Sequence, residues 1–486
     1  MGGPTPAGTT KRGTSRIVTS MAKQSGGEDQ AERLRAEFKQ RGITKVKLGG
    51  FDIDGVLRGK YISLDKFWSA LEQGFGFCDV IFGWDIGDVL YDNAKVTGWS
   101  TGYPDTHARI DPSTLRFFPP SWEEPQTAAF LVDFVTEEGT PHAACPRSLL
   151  KTVLARAEKL GFAATFGCEF EFFLFKETPA TLHEKGFRNL EPLSPGMFGY
   201  SWVREGQNSG LVHAILDEMA LFDIDIEAFH TETGPGVYEA ALRYDEALRM
   251  ADKAALFKTA LKQLCARRGL SCTFMAKWNA ELPGSSGHLH QSLWAKGDGK
   301  KRVNAFYDAK APDKLSAVAR KYLGGQVANM PALTALYSPT VNSYKRYVPG
   351  VWAPLTASWG IENRTSAIRV IPGDEKATRI EYRQTAADIN PYIAIATCLG
   401  AGLWGIEHDA VPPPAGSGDT SHDKSGFAAL PRTLKDATAL LAASAPARDI
   451  LGEAFVDHYV RTRDWEVRQH ERAVTEWELR RYFEAI

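Results

Sequence analysis

The chain has little surplus charge of either sign: 57 lysines and arginines face 59 aspartates and glutamates, for a net charge of −2 over 486 residues. Without a basic block it lacks the electrostatic footprint that nucleic-acid binding requires. It has no apolar run long enough to cross a bilayer as a helix, so no membrane association is expected. Cysteine is scarce. Cys78, Cys145, Cys168, Cys265, Cys272 and Cys398 show no CxxC spacing, which excludes a structural zinc framework and fits reduced thiols in the cytoplasm. There is no glycine loop of the P-loop or kinase type, so a nucleotide would have to be held by other means. No internal repeat occurs.

What is present is the composition of a folded protein, 43% apolar and 11% aromatic, long enough for two or more domains. Residues 1–28, rich in Gly, Ser, Thr and Lys, predict a disordered tail, and Met1 and Met21 both qualify as start residues. Over 29–138 the pattern predicts a small strand-rich domain. It comprises a helix over 30–41, a strand pair Lys45–Leu57 turning at Asp54-Gly55, a looped stretch Trp99–Trp122 and a strand Ala128–Phe134. Residues 139–486 form the second, larger unit. Helices are predicted at Leu149–Leu160, Tyr244–Arg268, Ala317–Met330, 447–459 and 465–484, and strands at Ala164–Phe175, Asp223–Phe229, Cys272–Lys277 and His288–Ala295. Residues 411–420 read as a loop. The fold class is α+β.

The run Gly167-Cys168-Glu169-Phe170-Glu171-Phe172-Phe173-Leu174-Phe175 carries the first chemical signal. In a strand, Glu169 and Glu171 point to one face, where two carboxylates repel each other and are costly to desolvate; a bound cation removes both penalties. A solvated strand face is the bland alternative, and the flanking phenylalanines speak against it. The device recurs in Asp223-Ile224-Asp225-Ile226-Glu227, in His288-Leu289-His290 and in Glu381-Tyr382-Arg383, which suggests a sheet whose polar face lines a cavity. Glu232 and Glu239 flank the turn Gly234-Pro235-Gly236, where glycine lets the backbone approach a ligand. Together these acids offer hard oxygen ligands suited to Mg²⁺ or Mn²⁺. Arg346, Arg364, Arg369, Arg379 and Arg383, with Lys376 among them, supply the planar forks that phosphate and carboxylate recognition use. Metal held opposite arginines suits phosphoryl transfer.

The segments GCEFEFFLF, HTETGPGVYE, PGSSGHLHQS, NSYKRYVPG, WGIENRTSAIRV and KATRIEYRQTAADINPY, in this order, resemble the glutamine synthetase family from about Lys45 onward. The resemblance implies a small N-terminal β-grasp domain and a catalytic domain whose curved antiparallel sheet, with flanking helices, forms a funnel. It implies ATP and two to three Mg²⁺ (or Mn²⁺) per site, L-glutamate as substrate, and a dodecamer of two hexameric rings with active sites between neighbouring subunits. By motif matching, Glu171, Glu232 and Glu239 correspond to ligands of one metal, and Glu169, His288 and Glu381 to ligands of the metal bridging the phosphates. Glu227, His290, Ser292, Arg369 and Lys376 fall at nucleotide positions, and Arg379 is grouped with them. Gly284, Arg346, Arg364 and Arg383 fall where glutamate and the transferred phosphate are held. Asp85 and Arg364 are the expected catalytic residues, with Asp85 helping to deprotonate the incoming nitrogen, and Tyr200 matches a tyrosine lining that site.

The chain departs from glutamine-forming members at one telling place. Pro349-Gly350-Val351-Trp352-Ala353-Pro354 carries Trp352 where those enzymes have a glutamate that helps bind ammonium. An indole offers an apolar face and at most a cation–π contact, which suits an organic amine better. Val237 and Pro283 also depart, and Leu430-Pro431-Arg432-Thr433-Leu434 and the C-terminal segment resemble the γ-glutamyl-amine (γ-glutamylpolyamine-type) ligase branch. The expectation is an ATP-dependent ligase joining glutamate to an organic amine. An ammonium-using enzyme, favoured if Glu362 reached the ammonium pocket, and a catalytically silent homologue are the alternatives.

Overall fold

The computed structural model describes residues 27–296, 302–421 and 426–486. Most of the tail expected over 1–28 lies outside the described residues; helix α1 (Gly27–Arg41) already begins at Gly27.

A six-stranded sheet comes first, built from β1 (Lys45–Phe51), β2 (Leu57–Ser63), β3 (Phe75–Cys78), β4 (Asp105–Ile110), β5 (Arg116–Phe117) and β6 (Ala128–Val135). Its order is β2-β1-β6-β4-β3, with β5 on β6 and a parallel β1–β6 pair at its centre. One face buries Val46, Leu48, Phe130 and Phe134 against Phe38 of α1 and Phe67 of α2 (Leu64–Gln73). The opposite face, through Phe51, Phe118 and Leu131, joins the main core. Two expectations need correction. The turn at Asp54-Gly55 is present, but the second strand runs over Leu57–Ser63 rather than ending at Leu57. The stretch Trp99–Trp122 is not loop throughout, since it contains β4 and β5; its Pro, Gly and Trp punctuation hides them.

The larger sheet has ten strands: β7 (Phe162–Phe175), β8 (Ile226–Thr231), β9 (Val237–Leu242), β10 (Asp245–Glu246), β11 (Ser271–Thr273), β12 (Leu289–Lys296), β13 (Arg302–Asn304), β14 (Trp359–Ile361), β15 (Ile368–Ile371) and β16 (Arg379–Tyr382). The main path is β14-β15-β16-β12-β7-β9-β8. It is antiparallel except at its edge, where β14 and β15 pair in parallel. The strand expected at Cys272–Lys277 stops at Thr273, and the one expected at Asp223–Phe229 occupies Ile226–Thr231 instead.

Alternation along the 14-residue β7 explains how the sheet faces two ways. Phe170 and Phe172 are fully buried and contact Phe257 on α4 (Ala247–Arg267) and Phe274. Burying each such ring contributes roughly 1.5–3 kcal/mol. The other face, carrying Glu169 and Glu171, is left to line a cavity. Helices α3 (Pro146–Lys159), α5 (Ala317–Tyr337), α6 (Pro391–Glu407) and α7 (Glu453–Arg472) complete the core. α5 continues through Pro331, past its expected end at Met330. The two expected C-terminal helices are three: Ala445–Leu451, α7 and α8 (Glu476–Tyr482), interrupted at Gly452 and at 473–475.

Candidate active site

β7 changes neighbours at the point where its acids lie. Cys168 is opposite Leu289 of β12 on one edge, while Glu169 is opposite Ala241 and Glu171 opposite Glu239 of β9 on the other. The β12 edge continues irregularly: the N–H of Glu169 donates to the His288 carbonyl at 3.0 Å, and that of Glu171 to the Ser286 carbonyl at 3.0 Å. His290 is opposite Glu381 of β16, and Arg369 of β15 is opposite Glu381 from the far side. Residues distant in sequence are thus brought together by strand register.

Two clusters result. In the first, His290 Nε2 is 3.0 Å from Glu169 Oε1, while His288 Nδ1 is 3.4 Å from Glu169 Oε2 and 3.5 Å from Glu381 Oε1. Single ligand atoms of Glu169, His290 and Glu381 all lie within 4.8 Å of one another. Burial opposes ionisation of Glu169, but hydrogen bonds from His288 and His290 outweigh it and hold the carboxyl far below the usual range. Burial likewise opposes ionisation of Glu381, and His288 and Arg383 carry its pKa down to about 2. His288 is itself pushed down by burial and by the Arg383 charge.

In the second cluster His230 Nε2 lies 3.1 Å from Glu232 Oε1, and His230, Glu232 and Glu239 can offer atoms within 4.8 Å of one another. Glu171 faces Glu239 across the strand pair and accepts a 2.6 Å hydrogen bond from the Ser286 N–H. Burial and repulsion from Glu232 push Glu171 up to about 7, and burial and repulsion from Glu171 push Glu239 up to about 9. Two half-buried acids facing each other, both resisting ionisation, form a donor set short of positive charge. Carboxylate oxygens with an imidazole nitrogen fit a divalent cation, and one cation would lift the penalty on both.

Two cavities meet at Glu169. The first, of about 590 Å³, is lined by Glu169, Glu171, Glu232, Glu239 and His288, by Arg346, Arg364 and Arg383, and by Tyr200, Val237, Lys277, Pro283, Gly284 and Trp352. The second, of about 530 Å³, is lined by Glu169, Glu227, His290, Ser292, Lys376 and Arg379, with Tyr244, Trp294 and Asp374. A smaller cavity of about 220 Å³ lies between the six-stranded sheet and α4 and contains none of these acids.

The placement of each expected residue can be stated plainly. The six expected ligands Glu169, Glu171, Glu232, Glu239, His288 and Glu381 are gathered in and around the first cavity. Beside them, His290 lies with Glu169 and Glu381, and His230 with Glu232 and Glu239. His230, to which the motifs assign no role, lies on β8 opposite Glu239. Glu227, His290, Ser292, Lys376 and Arg379 share the second cavity. Arg369 does not line it. Its guanidinium is engaged by Glu381 at 3.1 Å and by Glu362 at 3.0 Å. Of the alternating acids at 223–227, Glu227 lines the second cavity and Asp223 is taken by Arg249 and Arg116. Gly284 has a packing reason to be glycine: a Cβ there would meet the Ala276 carbonyl oxygen at 2.5 Å. Tyr200 stacks on His230 with centroids 4.2 Å apart, and Arg346 is anchored by donating to the Gln384 carbonyl at 2.9 Å. Asp85 lines neither cavity. Its Oδ1 accepts from the N–H groups of Gly87 and Val89, and its Oδ2 accepts from Trp465 Nε1 of α7 at 2.8 Å.

Residues 143–482 match the family model described as glutamine synthetase, catalytic domain. A protein of Dictyostelium discoideum named type-1 glutamine synthetase 2 is 46% identical over 444 residues, covering 91% of this chain and 84% of that protein. A glutamate–isopropylamine ligase of a Pseudomonas species is 36% identical over 459 residues, covering 94% of this chain and 98% of that one. A solved GmaS/ADP complex superposes with a TM-score of 0.79 at 29% identity, covering 92% of this chain and 98% of that chain. Among the described residues, no helix is long and apolar enough to cross a membrane.

Proposed function

The chain belongs to the glutamine synthetase family and is a carbon–nitrogen ligase, and we propose that it uses ATP and Mg²⁺ (or Mn²⁺) to activate L-glutamate as γ-glutamyl phosphate and passes the acyl group to an organic amine. The observation that carries the reading is Trp352, which stands in the wall of the same cavity as the carboxylate cage and Arg346, Arg364 and Arg383. Cage and arginines suit activation of a carboxylate by a triphosphate. The indole suits an amine with a carbon body.

In this reading the nucleotide occupies the second cavity, against Glu227, Ser292, Lys376 and Arg379, and its phosphates point toward Glu169. Glu169, His288, His290 and Glu381 would hold one cation, and Glu171, Glu232 and Glu239 another, with His230 beside them. When bound, these cations neutralise phosphate charge. Arg346 and Arg383, both buried, hold the glutamate, and the exposed Arg364 meets the transferred phosphate. The γ-carboxylate would then attack the terminal phosphorus and expel ADP, and the amine, losing a proton, would displace inorganic phosphate from the acyl phosphate. Tyr200 and Trp352 help to keep water away meanwhile. Residues 29–138 act as the small domain and 139–486 as the catalytic domain. The oligomer is a dodecamer of two hexameric rings in which Asp85 serves a neighbouring subunit's site, in keeping with its absence from the cavities of its own chain.

Ammonium as the nucleophile is the second reading, and the 46% identity to a protein named type-1 glutamine synthetase 2 favours it. Against it, Glu362 is bound to Arg369 and does not line the cavity. Phosphate release with ATP, Mg²⁺ and glutamate across a panel of amines decides between them. An organic amine is expected to give the highest kcat/KM; ammonium in first place would overturn the reading, and no release with any amine would mark the chain as catalytically silent.

A further inference from the structure

Asp388 lines neither cavity, yet it is bonded to the turn that carries Arg346. It lies in the segment 383–390 between β16 and α6. Its Oδ2 accepts two hydrogen bonds, from Thr340 Oγ1 at 2.8 Å and from Ser343 Oγ at 2.7 Å. Its Oδ1 is buried and has no hydrogen-bond partner among the described residues. The nearby Lys258 ammonium donates instead to the Ile389 carbonyl, at 2.7 Å. Burial pushes the Asp388 carboxyl up, against the pull of the two hydroxyls and of the Lys258 and Arg346 charges. A buried carboxylate oxygen left unmet is costly to keep, and such a group calls for a reason beyond filling space.

The two hydroxyls show what the acid holds. The Ser343 N–H donates to Thr340 Oγ1 at 3.1 Å, and the Thr340 N–H donates to Ser343 Oγ at 3.0 Å. Each hydroxyl closes the turn as an acceptor and gives its single proton to Asp388. The turn leads into the 3₁₀ helix Asn342–Arg346, whose last residue is the buried Arg346. The segment 383–390 also reaches the far end of that side chain. Arg346 Nη1 donates to the Gln384 carbonyl at 2.9 Å, and Nη2 donates to the Arg383 carbonyl at 3.4 Å. Arg346 is thus fixed twice by one segment: at its backbone through Asp388, and at its guanidinium through two carbonyls.

The same turn carries the loop that ends at Gly284. Asn342 Oδ1 accepts from the Lys277 N–H at 2.9 Å, and its Nδ2 donates to the Lys277 carbonyl at 2.8 Å. The Lys277 ammonium is tied to the Leu282 carbonyl, and at Gly284 an added Cβ would stand 3.0 Å from that of Arg346. A shift of the turn at 340–343 would therefore move Arg346 and, through Asn342, this loop. A guanidinium holds a carboxylate by a planar fork, so a small misplacement weakens it steeply. The groups proposed for the nucleotide, Glu227, Ser292, Lys376 and Arg379, lie in the second cavity on other segments.

We infer that Asp388 is a positioning residue, which mounts the turn that presents Arg346, and with it Gly284, to the carboxylate of glutamate. The inference rests on the ligase reading above, in which Arg346 holds glutamate. It is tested in the full-length chain with hydroxylamine as the nucleophile, so that the native choice of amine plays no part. Hydroxamate formation then gives separate KM values for glutamate and for ATP. In Asp388→Ala the KM for glutamate should rise about tenfold or more, the scale of a lost hydrogen bond to a charged group. The KM for ATP should change by less than about twofold. Asp388→Asn keeps an oxygen for the two hydroxyls and should recover most of the loss. Ser343→Ala removes one of the two donors and should give a smaller rise of about threefold; it carries the test if Asp388→Ala does not fold. Both KM values rising alike, or an unchanged KM for glutamate in whichever of the two alanine variants folds, would overturn the inference and leave Asp388 a structural group. No hydroxamate from the native chain would remove the ligase reading itself, and the inference with it.

Discussion

At the scale of single residues, Glu171 and Glu239 govern how the cage responds to pH and to cations. Both acids titrate above their usual range, at about 7 and about 9, because they are buried and repel each other. A cation can enter only as their protons leave, so Mg²⁺ affinity should rise with pH until the pair is ionised near pH 9. Isothermal titration in buffers of different ionisation enthalpy should show proton release on Mg²⁺ binding at neutral pH, and Glu239→Gln should reduce that release. The effect on stability has the opposite sign. An acid whose folded pKa exceeds its unfolded value of 4.5 contributes stability that is full below 4.5 and is lost as pH rises through the folded values. In EDTA, the melting temperature of the native chain should therefore fall between about pH 6 and about pH 9 more steeply than that of Glu239→Gln. Parallel curves for the two proteins would show that the facing acids are not strained. Glu171 was legible in the sequence because alternation in an apolar strand puts it on one face with Glu169, and Glu239 because, with Glu232, it flanks the turn Gly234-Pro235-Gly236. Their partners His230 and His290 were less so, since only the register of β8 on β9 and of β12 on β16 fixes which imidazole meets which acid.

At the scale of elements, a buried arginine ties the six-stranded region to helices of the larger unit. Arg147, in the first turn of α3, donates from Nη2 to Asp111 at 2.8 Å and from Nη1 to Asp133 at 2.7 Å, both in the six-stranded region. Its Nε donates to Asp252 of α4 at 2.8 Å, and Asp252 also accepts from Tyr392 of α6 at 2.7 Å. Removing the guanidinium would leave Asp252 without its ion pair and leave Asp111 and Asp133 to Lys151 alone, in a largely buried space. Arg147→Met should cost on the order of 3–5 kcal/mol, the usual penalty for stranding buried charge, read from urea unfolding; a loss under about 1 kcal/mol would mean that water replaces the arginine. None of this network could be read from the chain, because bonded partners lie up to 140 positions apart and each charged member looks like a surface charge. The elements themselves differ in legibility for a related reason. β7 and α4 each have a polar and an apolar face, and their periods are visible. Helix α6 buries nearly every side chain, so it presents no polar stripe to read. β4 and β5 are short strands set among Pro, Gly and Trp, where turn signals dominate.

At the scale of the whole molecule, the described chain holds the parts of a ligase site without bringing all of them together. Asp85 lines neither cavity; it closes a turn through Gly87 and Val89 and is held to α7 by Trp465. Around it, Arg468 pairs with Asp92, and Arg461 donates to the Asn93 carbonyl at 3.2 Å, so the stretch carrying Asp85 is fixed along one stripe of α7. A residue held this firmly does not reach its own chain's cage by a small loop movement. If Asp85 takes part in the reaction, the cage it serves belongs to another copy, as the proposed ring arrangement requires. Subunit mixing tests this directly. Asp85→Asn keeps a similar shape in the turn, and Arg364→Ala alters only the cavity with the cage; each should be nearly inactive as a homo-oligomer. After dissociation and reassembly of an equal mixture, about a quarter of the sites would combine an intact Asp85 from one subunit with an intact Arg364 from its neighbour, so activity should return to about a quarter of the native level. Mass measurement must confirm that mixed oligomers have formed. If they have formed and activity stays absent, Asp85 and the cage do not act across a subunit boundary, and the turn at 85–89 is a structural clasp for α7 alone.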